Sequence, residues 1–168
     1  MKTSNERLRR RYRPAEIRLL FVGEAPPASG RFFYQQDSGL YRAIRDAFCA
    51  IDPSVTDDRF LGIFQESGCY LIDACAEPVD HLDPRSRRDA RLASEPSLGR
   101  RIRQLHPATI VTLLRSVQNN VRRAAERTGS HGAIIDLPYP GGWARHREIF
   151  LRTLVPQLKV RLGSEVAK

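Results

Sequence analysis

A chain of 168 residues with 41% apolar content is long enough to bury one sizeable core and short for two, so a single globular domain is expected. It holds no apolar run near the ~20 residues that cross a bilayer, and its basic opening lacks the apolar stretch of a secretion signal, which points to a cytoplasmic protein without a membrane role. The net charge of +9 comes from 28 basic against 19 acidic residues, 25 of the basic ones arginine, whose planar fork matches phosphate; this makes nucleic acid the natural partner, although an even, solvated basic surface would give the same total.

Taken in chain order, residues 1–16 read as a basic flexible arm, with seven basic and two acidic groups within the first 18 positions. "IRLLFV" (residues 17–22) is a short buried strand that runs into the rigid corner Gly-Glu-Ala-Pro-Pro. From Ser38 the apolar positions Leu40, Ile44, Ala47, Phe48 and Ile51 recur at helical spacing until Pro53. "CYLIDAC" (residues 69–75) is the second strand. The proline-bearing segment after it, residues 76–96, reads as a long loop, and Ser94 is the expected cap of a helix carrying Leu98, Ile102 and Leu105; a second arginine concentration (Arg85, Arg87, Arg88, Arg91, Arg100, Arg101, Arg103) runs through both. "ATIVTLL" (residues 108–114) is a third strand. A helix through Val117, Val121 and Ala124 follows, then a strand in "GAIIDLPYP" and a last helix from Trp143 to Leu158.

Strands alternating with helices predict an α/β fold, a three-layer α/β/α arrangement around a mainly parallel four-stranded sheet in one domain over residues 17–168. In such sheets ligands sit beyond the carboxyl ends of the strands. Three strand ends have unusual sequences, residues 23–27, 73–78 and 137–142, and are expected to meet around one cleft. Three cysteines, Cys49, Cys69 and Cys75, without C-x-x-C spacing give neither a disulfide framework nor a four-cysteine metal or iron-sulfur site, and the histidines lack ligand spacing. No metal or other cofactor is expected.

"VGEAPPASGRFFYQQDSGLYRAI" (residues 22–44) resembles the first motif of the uracil-DNA glycosylase superfamily, a strand entering Gly-x-Ala-Pro, then an aromatic residue, then Asp and Ser-Gly opening a helix. "LPYPGG" (residues 137–142) stands where that family carries its second motif, usually His-Pro-Ser. The resemblance covers roughly residues 17–158 and implies a uracil-DNA glycosylase-like fold. It also implies a monomeric DNA repair enzyme of base excision, which flips a base out of DNA and hydrolyses its N-glycosidic bond.

By position in the motifs, the resemblance gives Gly23, Glu24, Ala25 and Pro26 the corner against the base, and Phe33 the stacking face. Asp37 becomes the carboxylate nearest the reacting water, Asp73 takes the place of the Asn that reads the base edge, and Tyr139 stands for the histidine of the second motif. An ionised Asp accepts hydrogen bonds and donates none, which favours an amino-bearing edge, and a phenol is a weaker donor than an imidazolium. In the following "PGGWARH", Trp143 or Arg145 is the expected wedge into the base stack, and Arg147 or His146 a phosphate contact, on duplex or single-stranded DNA. Each residue also has a plainer reading. Asp37 with Ser38 makes a helix cap, Asp73 pairs with an arginine, Phe33 and its neighbours pack in the core, and Trp143 faces inward. Those substitutions leave a second function open, a catalytically inactive nucleic-acid-binding module on the same fold.

Overall fold

The structure is a computed structural model and describes residues 2–163; Met1 of the expected arm and residues 164–168 of the expected domain lie outside it. Its frame is four strands, β1 (Leu19–Gly23), β2 (Cys69–Asp73), β3 (Thr109–Thr112) and β4 (Ala133–Asp136), all parallel and ordered β2-β1-β3-β4. Every residue of β1 is buried, the mark of a central parallel strand covered on both faces, which is why it reads as an unbroken apolar run.

The helices are α1 (Lys2–Arg11), α2 (Gly39–Cys49), α3 (Asp57–Glu66), α4 (Pro84–Leu105), α5 (Gln118–Glu126) and α6 (Ala144–Leu162). The crossover from β1 to β2 runs one way along the sheet, while those from β2 to β3 and β3 to β4 run the other. Right-handed connections therefore place α2 and α3 on one face and α4 and α5 on the opposite one. Packing agrees: α4 lies on α5, and α2 on α6. This is the expected three-layer α/β/α fold. On the α2 and α3 side Phe21, Phe33, Tyr41, Phe48, Phe60 and Phe64 interlock in tilted and edge-to-face pairs, with ring centres 5.2 to 6.4 Å apart.

Three segments differ from expectation. The supposed flexible arm is the helix α1, held down at its far end. Arg9 pairs with Asp73 at 2.8 Å, and Tyr12, just beyond the helix, stacks on Tyr34 at 5.7 Å with an interplanar angle of 12°. So short and polar a helix is marginal alone, and these tertiary contacts supply what local propensity lacks. Between Pro53 and Gly68, where no element is expected, α3 forms by burying Phe60, Leu61 and Phe64.

The expected loop after β2 is mostly helix. The Asp83 side chain accepts from the Arg85 and Ser86 N–H groups, and Pro84 occupies the first turn, where its missing donor costs nothing. Ser94, the expected cap, lies in the interior of α4 and donates its hydroxyl to the Ala90 carbonyl at 2.9 Å. Pro96 is accommodated inside the helix, on an exposed position. Glu95 beside it is buried and accepts from Asn120 and Arg123 of α5, tying the two helices together.

Candidate functional site

The chain leaves β1 toward β2 on one side and returns across it to β3 on the other, so a crevice opens at the carboxyl ends of β1 and β3. A cleft of about 300 Å³ occupies it, within the range of small-ligand sites. One wall is the corner Gly23 to Pro27; the others come from Asp73 at the end of β2, Leu113 and Leu114 after β3, Tyr139 after β4, and Phe32 with Phe33. The three unusual strand ends thus meet as expected.

The corner is held by the continuing ladder between β1 and β2. The Gly23 and Glu24 carbonyls accept from the Ala74 and Cys75 N–H groups at 2.8 and 2.7 Å. Asp80, which the sequence reading passed over, accepts the Ala28 N–H at 3.1 Å and closes the proline turn. A Cβ at position 23 would lie 2.9 Å from Asp73 Oδ1, so any side chain there requires the Asp73 carboxylate to shift.

Two further carboxylates border this corner, and both are paired with arginines. Glu24 is 9% exposed and accepts from Arg87 and Arg91, successive turns of α4. Burial works to raise its carboxyl, but the two guanidinium groups outweigh burial and hold it below the ordinary range. Asp73 Oδ2 accepts from Arg9, and its main-chain carbonyl accepts from Arg101. Here burial wins: it pushes the Asp73 carboxyl above its ordinary value against the pull of Arg9 and Arg101.

Asp37 takes its local role. Exposed and outside the cleft lining, it accepts the Phe32 N–H at 2.7 Å, while Ser38 caps α2 by accepting from the Tyr41 N–H. Phe33 is 3% exposed, so its ring serves the aromatic core while also lining the cleft wall. Phe32 forms the adjoining wall and carries the Arg9 guanidinium 5.2 Å from its ring centre.

Tyr139 stands at the rim, 46% exposed, with its ring folded over Gly141, where a Cβ would come within 2.5 Å of Cε1. Trp143 is 75% exposed at the start of α6, so it does not face the core, and Arg145 beside it is exposed too. Arg147 turns inward and pairs with Asp46 of α2.

The sequence reading missed Arg9, Arg87 and Arg91 as parts of the site. The spacing of Arg87 and Arg91 puts them on one helical face, a signal that is visible only once residues 84–105 are read as helix. Nothing local marks Arg9, whose partner lies 64 residues away.

Among the described residues no group of three or more His, Cys, Asp or Glu could hold a metal ion, and no helix is long and apolar enough to cross a membrane. Chemically, the cleft offers apolar and aromatic walls for a flat ring, the carboxylates of Glu24, Asp73 and Asp80, the guanidinium groups of Arg31 and Arg87, and a phenol at the rim. No protein-family model matches the chain, and no curated protein matches it.

Proposed function

We propose that this chain is a DNA glycosylase-like enzyme that receives one flipped-out, deaminated or damaged base and hydrolyses its N-glycosidic bond. The observation that carries the reading is the convergence, in a cleft of about 300 Å³, of the Gly-Glu-Ala-Pro corner, Asp73, the Phe32 and Phe33 wall and the Tyr139 rim. Backbone groups of the corner would lie against the base and sugar, the aromatic wall would cover the base face, and Asp73 would meet its edge. Tyr139 would donate to charge developing on the leaving base. Trp143 at the N-cap of α6 and Arg145 in its first turn, both exposed, are the groups that would enter the base stack.

A second reading has its own observation. Glu24 and Asp73 are engaged by arginines, and Asp37 and Asp80 accept the Phe32 and Ala28 N–H groups, so each carboxylate at or beside the cleft among the described residues already has a partner. A module of the same fold that binds a flipped nucleotide without cleaving it would want such a set.

One experiment separates them: incubation of the folded protein with duplexes carrying uracil, hypoxanthine, xanthine or 5-hydroxymethyluracil, scored for abasic sites. Abasic product on any of them, abolished by a Tyr139 or Asp73 substitution, supports the enzyme. Tight, salt-dependent binding with no product on all four supports the module.

A further inference from the structure

On the other side of the Arg9–Asp73 pair, α1 and the last turns of α4 enclose a second groove of about 310 Å³ over Tyr70 and Ile72 of β2. Arg9, Arg10 and Arg13 come to it from the amino-terminal segment and Arg101 from α4. The carboxylates beside these four cations are Glu6, on Arg9 and Arg10, and Asp73, on Arg9. Among the described residues two positive charges remain in excess.

Two observations separate this groove from an ordinary solvated basic face. Arg9 Nε is buried with no hydrogen-bond partner among the described residues, although buried donors are nearly always satisfied. Arg101 is half-buried and donates to the Asp73 and Ala74 carbonyls at 2.7 and 2.8 Å, neutral acceptors that satisfy its N–H groups without cancelling its charge. Burial, and then Arg9 beside it, hold the Arg101 guanidinium below its ordinary value against the pull of Asp73 and Glu6. Complementing the helix dipole accounts for basic residues in the last turn of α1, but not for a buried donor left empty nor for an α4 arginine directed at the loop after β2.

We propose that this groove binds a phosphate group, carried by a nucleic-acid strand or by a small phosphorylated molecule. Arg10 and Arg13 would close on the phosphate oxygens from solvent, above Arg9 and Arg101, since arginine forks match phosphate oxygens two at a time. The charge excess suits one phosphate dianion or two successive phosphodiesters. The site lies outside the cleft and stands whether or not the chain cleaves a base.

The test follows the arginine Nε–Hε signals of the 15N-labelled full chain by NMR. Inorganic phosphate and a 5′-phosphorylated single-stranded oligonucleotide are titrated separately at constant ionic strength. Saturable shifts at Arg9 and Arg101 are expected, with affinity reduced about tenfold or more when Arg10→Ala and Arg13→Ala are combined. Both of these positions are exposed, so the double variant keeps the fold. Saturation by free phosphate identifies a small ligand, and saturation by the oligonucleotide alone identifies a strand backbone. If neither probe saturates these signals, or if the double variant binds as tightly as the parent, the proposal is overturned.

Discussion

Arg9 Nη2 lies 2.8 Å from Asp73 Oδ2, and this pair joins the first helix to the floor of the cleft. Their side chains are 13% and 12% exposed. Breaking a buried pair by removing one member leaves an unmatched charge, at a cost of about 3–5 kcal/mol. Arg9→Ala is therefore expected to destabilise the protein on that scale in denaturant unfolding. The Asp73 carboxyl, already raised by burial, should then titrate still higher, because a group that opposed burial is gone. An Arg9→Ala protein as stable as the parent would show that α1 is only loosely attached.

The two acids should leave opposite traces in the pH dependence of stability. Glu24 is held below its ordinary 4.5 in the fold, so the stability it contributes is present above that value and is lost as pH falls through the lower, folded value. Asp73 is raised above its ordinary 3.8, so its contribution is whole below 3.8 and declines as pH rises through the folded value. Replacing Glu24 with Gln should flatten the acid limb of a melting-temperature profile. Asp73→Asn should remove the decline on the other side while leaving the acid limb in place.

Gly23→Ala places a methyl group 2.9 Å from Asp73 Oδ1 on the cleft wall. An overpacked site of this kind costs roughly 1–3 kcal/mol, and relief requires the Asp73 side chain to shift from Arg9. The expected result is a folded protein with modestly lower stability and weakened cleft binding, measured by chemical denaturation and by calorimetry with a flipped-base oligonucleotide. Unchanged binding would mean that Asp73 does not meet the ligand.

Trp143 and Phe33 should part company under alanine substitution. Trp143 is largely in solvent, so Trp143→Ala should leave stability within about 0.5 kcal/mol while lowering affinity for DNA, where one stacked contact is worth ~1–3 kcal/mol. Phe33 sits among Tyr34, Tyr41, Phe60 and Phe64, and Phe33→Ala should cost about 3–5 kcal/mol of stability. Equal effects on stability would contradict the packing described here.

The sheet and its crevice are legible from sequence because buried parallel strands write themselves as short apolar runs, and because corners such as Gly23 to Pro27 announce where those runs stop. Features that depend on partners distant in sequence are not. Prolines at positions 84 and 96 look like loop punctuation until Asp83 is seen capping a helix and the Pro96 ring is seen facing out of it. α1 reads as a charged arm because its anchors, Asp73 and Tyr34, belong to other parts of the chain. Asp37 shows the reverse: a motif position that invites a catalytic role closes a turn only five residues wide, onto Phe32.

β4 gives the sheet an outer border of four residues, partly open to water from Ala133 onward. Asp136 at its end is gripped by Thr112 and Arg122, and Pro138 follows two positions later. So brief a margin, finished by a charge and then by a residue without an N–H, offers little template for another copy to dock strand against strand. The fold thereby guards against growing into a continuous fibre-like ribbon at this edge.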